Sequence, residues 1–274
     1  MSQELYISDL LNRYGQLLDG LTRRFDSPYD AEATLSPDQC PLPDSPEHHR
    51  MASHREDYMA LIGAYLWLAN VTRPDLAYIA SQLARFVSNP GWVHYRAALR
   101  VLLYLRSSAS NTLLLRPNDH QPLCAYVDAD WATKFSISGG LVAFMSCPLH
   151  WYSRTQRSIS MSSTEAGYFA MCMAAREVLF FRDLLLDLHH ALLGPTRMAT
   201  DNRSVIDLAF DAVAFKKTKH ILRAAEFVRD LTLKRVLELK WIPGHSNPAD
   251  LLTKPLLPFA NLSPFCITFL LSSP

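Results

Sequence analysis

The segment Tyr126-Val-Asp-Ala-Asp130 begins a series of acidic points, continued by Glu165, Asp201 and Asp250, each placed where a strand or helix should end. Carboxylates gathered on one apolar scaffold repel: two of them about 4 Å apart cost roughly 4 kcal/mol at an effective dielectric near 20. A fold that brings these residues together needs cations between them, and divalent metal ions meet that need. In the alternative the acids stay apart and each serves local structure.

The 274 residues and 49% hydrophobic content fit a globular chain of one large or two ordinary domains. Cys40, Cys124, Cys147, Cys172 and Cys266 are odd in number and lack CxxC spacing, so neither a disulfide framework nor a zinc site is indicated, and a reducing compartment is expected. Met1 is followed by Ser-Gln-Glu-Leu, not by a basic region and an apolar run; no secretory signal is expected, and the start reads as an internal cut. Residues 255–274 carry no charge, but four prolines and several polar residues interrupt them, so no membrane span is expected. The formal net charge of +1 argues against a general polyanion binder. Residues 215–235, however, hold seven basic and two acidic side chains, a local excess of 7 − 2 = +5. That excess fits a solvated helix face, or cations serving a phosphate backbone near an acidic site.

Residues 1 to about 115 read as mainly helical. Helices are expected over 8–21, 58–70, from Pro74 to 87 and from Pro90 to about 106, with the Pro- and Asp-rich stretch 28–53 as loop. From Leu123 the pattern changes to short β-like runs at 123–127, 140–146 and 150–153. A long helix over 163–188, a strand at 198–200, helices at 202–210 and 218–233, and a strand at 236–242 complete it. The fold class is therefore α/β, a mixed sheet flanked by helices.

Each acid has a purely structural alternative. Asp128 and Asp130 share one strand face with Tyr126, and either can instead lie in a solvated turn past the strand end. Ser162-x-x-Glu165 fits a capping box, and Asp201 and Asp250 sit where helix caps are common. Three independent caps are reasonable; a strand Asp joined to all three is harder to explain by caps alone.

The order of the acids and six motifs carry a resemblance. The motifs are Tyr-Val-Asp-Ala-Asp-Trp (126–131), Ser-Ile-Ser-Gly (136–139), Ser-Ser-Thr-Glu-Ala-Gly-Tyr (162–168), Asp-Asn-Arg-Ser-Val-Ile (201–206), Lys-Lys-Thr-Lys-His-Ile (216–221) and Asn-Pro-Ala-Asp-Leu-Leu-Thr-Lys-Pro-Leu (247–256). In this order they resemble the ribonuclease H region of the Pol polyproteins of Copia-type long-terminal-repeat retrotransposons. Tyr58-Met-Ala-Leu-Ile-Gly, Thr72-Arg-Pro-Asp-Leu-Ala-Tyr and Ala97-Ala-Leu-Arg-Val-Leu-Leu-Tyr-Leu are similar to the thumb and connection that follow the polymerase palm in these polyproteins. The resemblance implies a helical thumb/connection segment over 1–115, a ribonuclease H-like domain with a five-stranded mixed sheet over 120–256 and an unassigned tail over 257–274. The polymerase's Tyr-x-Asp-Asp signature is absent, so no reverse transcription is expected.

What the resemblance implies for chemistry is a metal-dependent endonuclease that hydrolyses the RNA strand of RNA/DNA hybrids, leaving a 3′-hydroxyl and a 5′-phosphate. Asp128, Glu165, Asp201 and Asp250 would hold two Mg²⁺ ions, with Mn²⁺ able to replace them and Asp130 the fallback for Asp128. His245, in Pro243-Gly244-His245-Ser246, would assist proton transfer; the alternative is a plain loop histidine. Arg154, Lys216, Lys217 and Lys219 are the cationic candidates for nucleic-acid contact, and Ser163, Thr164 and Asn202 the polar ones. The implied partners are an RNA/DNA hybrid and the upstream polymerase domain of the same polyprotein, without a membrane. The implied setting is intracellular: cytoplasm, virus-like particles or nucleus.

The chain also departs from that family. The stretch between Trp131 and Ser138 is several residues short, and the family's Glu-Ala-Glu-Tyr stands here as Glu165-Ala-Gly-Tyr168, with a Gly inside a helix at a cost near 1 kcal/mol against Ala. These departures favour a second reading, a catalytically inactive or domesticated remnant that binds nucleic acid or a partner. An integrase or transposase, which shares the fold, is disfavoured because Glu165 comes second in order.

Overall fold

The structure is a computed structural model. It describes all residues except 19, 22, 31–33, 119–121, 132–134, 211–218 and 256–274; the side chains of 208–210 and 219–222 also fall outside the description. Residues 1–114 form one compact unit and 115–254 a second.

In the first unit the helices are α1 (Glu4–Tyr14), α2 (Pro46–Ala52), α3 (Arg55–Val71), α4 (Ala77–Ala84) and α5 (Trp92–Ser107). Helix α2 lies within the stretch expected to be loop. Ser45 explains it: its side chain accepts a hydrogen bond from the His48 N–H, and Pro46 occupies the first helical position, where the missing N–H costs nothing. Buried tyrosines fasten the helices through their polar tips. The Tyr58 hydroxyl donates to the Leu83 carbonyl at 2.7 Å and the Tyr65 hydroxyl to that of Ala98 at 2.9 Å.

The second unit holds β1 (Cys124–Asp130), β2 (Ile137–Phe144), β3 (Cys147–Thr155), α6 (Ser163–Asp187), β4 (Thr196–Thr200), α7 (Arg203–Phe210), α8 (Lys219–Leu233) and β5 (Leu237–Trp241). The strands form one mixed sheet in the order β3-β2-β1-β4-β5. β1 and β3 run antiparallel to β2, whereas β4 is parallel to β1 and β5 to β4. This is the five-stranded mixed sheet the resemblance implied. Ala125 and Val127 face a core shared with Tyr168, Met171, Ala174 and Val178 of α6 and Ala225 and Val228 of α8. By strand alternation Tyr126, Asp128 and Asp130 then point to the other face. Among the described residues no helix is long and apolar enough to cross a membrane.

Candidate metal centre

The parallel register of β1 and β4 builds the site. Tyr126 pairs with Ala199, so the residues two steps further along each chain, Asp128 and Asp201, arrive side by side past the C-terminal end of the pairing. Neighbouring strands lie about 4.8 Å apart. The third acid comes from a helical turn, Pro248–Leu252, capped by Asn247. Asn247 is buried and anchors that turn to the sheet: its Oδ1 accepts from the Ala249 N–H at 3.2 Å and its Nδ2 donates to the Val127 carbonyl at 3.0 Å. Gly139, paired with Asp128 on β2, lets the turn approach; a Cβ there would stand 2.7 Å from Thr253 and 2.9 Å from Leu252. As a result, one carboxylate oxygen each from Asp128, Asp201 and Asp250 lie within 4.8 Å of one another.

Two further residues of the 247–256 motif complete the centre. The Thr253 hydroxyl donates a hydrogen bond to Asp128 Oδ2. Lys254 Nζ lies 3.0 Å from Asp250 Oδ1 and 3.6 Å from Asp128 Oδ2. Neither was singled out from the sequence, nor was Asn247, although all three lie in a motif that was. The available signal was spacing: a Thr and a Lys three and four positions after a candidate ligand, in a helical turn.

Electrostatics records the crowding. Burial, then Asp128, pushes the Asp250 carboxyl up to about 6, against the pull of Lys254. Burial, then Asp128, also raises Asp201, and burial raises Asp130. Burial alone would lower the Lys254 ammonium, but Asp128 and Asp250 outweigh it, and the group is held above its ordinary value. Four carboxylates, Asp128, Asp130, Asp201 and Asp250, thus outnumber the cations Lys254 and Arg203 around them, and three hard oxygens within 4.8 Å of one another suit a hard cation such as Mg²⁺ or Mn²⁺.

Two predictions follow from that imbalance. An acid whose folded pKa exceeds its unfolded one takes up protons on folding, so the ion-free chain loses stability as pH rises from 3.8 through about 6. A divalent ion competes with the same proton, so the melting shift it produces should shrink as pH falls through about 6; an ion-induced shift equal at pH 5 and pH 8 would contradict this. Lys254, with 46% of its side chain exposed, already occupies part of the cation's place. Lys254→Met should strengthen Mn²⁺ binding on the order of tenfold, a figure discounted for that exposure. Titration calorimetry on the two proteins reads the difference directly.

The remaining sequence candidates are dispersed. An open pocket of about 490 Å³ holds Asp128, Asp130, Asp201, Ser163, Asn202 and Lys254, so Ser163 and Asn202 adjoin the acids. Asn202 also accepts from the Val205 N–H at 3.4 Å at the start of α7 and donates to the Ser163 carbonyl at 3.4 Å. Asp130 lines the pocket without joining the three-acid group, and Thr164 does not line it. Glu165, expected as the fourth ligand, is also outside the group. It is 1% exposed, its Oε2 accepts from the Met161 N–H at 2.7 Å, and its own N–H donates to Ser162 Oγ at 3.1 Å. Ser162 thus caps α6, while the Glu165 carboxylate bonds to the N–H one residue before the cap, so the reciprocal capping box is only half formed. The physical reason Glu165 stays outside the group is helix phase: residues 163 and 167 lie one turn apart on the pocket side, and 165 lies between them on the far side. His245 is exposed in the helical turn Gly244–Ser246 and does not line the pocket.

Arg154 lies elsewhere, 3.3 Å from Glu177 and in a groove of about 810 Å³ shared with Arg157, Arg176 and Arg223. Lys216 and Lys217, the side chain of Lys219, and the 257–274 tail lie outside the described residues, as does most of the shortened stretch after Trp131.

No family model matches the chain. It is 30% identical over 260 residues to the retrovirus-related Pol polyprotein from transposon TNT 1-94 of Nicotiana tabacum, an alignment covering 93% of this chain and 19% of that one. It is 37% identical over 127 residues to secreted RxLR effector protein 161 of Plasmopara viticola, covering 45% of this chain and 89% of the other. Among solved structures it is similar to LC11-RNase H1 in complex with RNA/DNA hybrid, at 18% identity and a TM-score of 0.39, covering 48% of this chain and 93% of that one. The chain spans about a fifth of the length of the Pol polyproteins it matches. The second unit is an α/β unit whose five-stranded mixed sheet has the order β3-β2-β1-β4-β5. Over nearly its whole length, the chain is homologous to a segment of the retrovirus-related Pol polyproteins of plant transposons.

Proposed function

We propose that the second unit is a metal-dependent ribonuclease H, hydrolysing the RNA strand of RNA/DNA hybrids as part of a transposon Pol polyprotein. The observation that carries this is the convergence of Asp128, Asp201 and Asp250, one carboxylate oxygen of each lying within 4.8 Å of the others. A divalent ion bound there would supply Lewis-acid stabilisation of charge on the attacked phosphate and a water of lowered pKa. Asp128, Asp201 and Asp250 would hold it, with Thr253 fixing Asp128 and Asn247 fixing the turn that bears Asp250. Hydrolysis forms a bond from water oxygen to phosphorus and breaks that to the 3′-oxygen, which leaves with a proton as the 3′-hydroxyl.

Ser163 and Asn202 line the pocket and supply polar groups for the nucleic-acid backbone. The four-arginine groove around Arg154 offers phosphate contacts, and Lys216, Lys217 and Lys219 remain candidates for the same task. We assign the 1–115 segment to the polymerase thumb and connection and 120–256 to the nuclease domain, with an intracellular site of action. Gly167 on the pocket wall favours a second reading, in which the site still binds hybrid but turns it over poorly.

The test is cleavage of a labelled RNA/DNA hybrid by the purified chain in Mg²⁺ or Mn²⁺, with duplex RNA and duplex DNA as counter-substrates and Asp201→Asn as control. Cutting confined to the hybrid's RNA strand and lost in Asp201→Asn supports the proposal. Equal cutting of duplex DNA, or activity that survives in Asp201→Asn, refutes it.

A further inference from the structure

We propose that the acidic centre of this chain is built for one divalent ion, and that Gly167 marks the position where a second ion's carboxylate is missing. This rests on reading the three aspartates as a metal site. Ser163 and Gly167, one helical turn apart, are the residues through which α6 lines the acidic pocket. Glu165, two residues from Gly167, is rotated about 200° around the helix axis. Its carboxylate is committed to the Met161 N–H, and swinging it to the pocket would give up that bond and the lock on the start of α6.

The donor set is short by one side. Two ions about 3.5–4 Å apart need carboxylates on both flanks. Asp128, Asp201 and Asp250 offer three oxygens within 4.8 Å of one another, which with water fill one octahedron. Asp130, the pocket's further carboxylate, stays outside the three-acid group, and on the α6 side the pocket offers the Ser163 hydroxyl and the Asn202 amide, neutral and weak donors to Mg²⁺. Beside Asp128 and Asp250 stands the Lys254 ammonium, whose charge repels a second cation. The wall has also closed over the gap: a Cβ on Gly167 would stand 2.6 Å from Val205 Cγ2 and 3.2 Å from Asn202 Nδ2. A side chain at 167 therefore needs room, and removing Val205 Cγ2 provides it.

The experiment is Mn²⁺ titration of the whole chain, with free Mn²⁺ counted by electron paramagnetic resonance. Wild type, Asp201→Asn, Val205→Ala and Gly167→Glu/Val205→Ala are compared, each checked for folding by circular dichroism. The expected stoichiometries are one, none, one and two. Hybrid cleavage by the double variant should rise on the order of a hundredfold over Val205→Ala, the scale on which one misplaced ligand acts. Two ions on wild type overturn the proposal while leaving the metal centre standing, as does a folded double variant that still binds one. No ion on folded wild type overturns the metal reading itself. Should the double variant fail to fold, the wild-type count alone decides, and Gly167→Asp/Val205→Ala repeats the gain test with a shorter side chain.

Discussion

Asp201→Asn is expected to abolish divalent-ion binding and hybrid hydrolysis while making the ion-free chain more stable. The two effects share one cause. Asp201 is raised above its ordinary pKa by burial and then by Asp128, and Asp250 is raised to about 6 by burial and the same neighbour. Each raised carboxyl reports that its ionised form is disfavoured in the fold. An isosteric amide at 201 removes one of three mutually repelling charges and can still accept the hydrogen bond that Asn247 offers. The gain should be about 1 kcal/mol at neutral pH, discounted because these groups are only partly buried. It should vanish as pH falls below the ordinary carboxylate range, where the repulsion is already neutralised. Loss of a ligand oxygen should cost hydrolysis a hundredfold or more. Binding of hybrid should change little, since backbone contacts come from other side chains. Differential scanning fluorimetry in chelator and in Mn²⁺ separates the two effects. An Asp201→Asn protein that melts higher without ion and no longer responds to Mn²⁺ agrees; an undiminished Mn²⁺ response rules out the site.

The β-rich half was legible because its signals are local. The apolar run before Asp128, the turn after Phe144 and the helical period after Ser163 each reflect neighbours within a few residues; α6 starts where expected, and β1, β2 and β3 overlap the expected runs, although β1 runs on to Asp130, β2 begins at Ile137 and β3 at Cys147. The meeting of Asp128 with Asp201 is a matter of register between strands more than 70 residues apart, for which only motif order spoke. Glu165 shows where such reading fails. Counting acids along the chain cannot give the phase of a helix, and two residues of phase decide whether a side chain enters the pocket or turns back to the Met161 N–H. Lys254 and Thr253 escaped notice because a ligand search looks for acids, whereas a site crowded with acids also selects their partners. Helix α2 was hidden by composition: prolines and aspartates marked a loop, though Ser45-Pro46 is a helix start.

In the first unit the decisive element is a buried ion pair, and breaking it should be the most destabilising single change there. Arg73 is 0% exposed and its Nη2 lies 2.6 Å from Asp75 Oδ2. The guanidinium also donates to the Ser108 carbonyl and hydroxyl, each at 2.9 Å, and the Tyr104 hydroxyl donates to Asp75 Oδ2 at 2.8 Å. Burial opposes the charge on Arg73, but Asp75 outweighs it. The link thus ties the segment between α3 and α4 to the end of α5, and the Thr72-Arg-Pro-Asp motif reads as a structural clamp, distinct from any substrate contact. Arg73→Met leaves Asp75 buried without its cation and should cost about 3–5 kcal/mol. Arg73→Lys should recover only part of that, because one ammonium cannot serve both the carboxylate and the two Ser108 oxygens in a planar fork. Removing both charges, Arg73→Met with Asp75→Leu, should restore more stability than Arg73→Lys, since the penalty lies in the orphaned charge and not in the lost attraction. Hydrogen exchange followed by mass spectrometry reads this locally: peptides from α3 and α5 should lose protection in Arg73→Met while those from β1 and α6 keep theirs. Unchanged exchange in α3 and α5 would show that the pair is an accessory to hydrophobic packing, and the Arg-Pro-Asp sequence would then need another explanation.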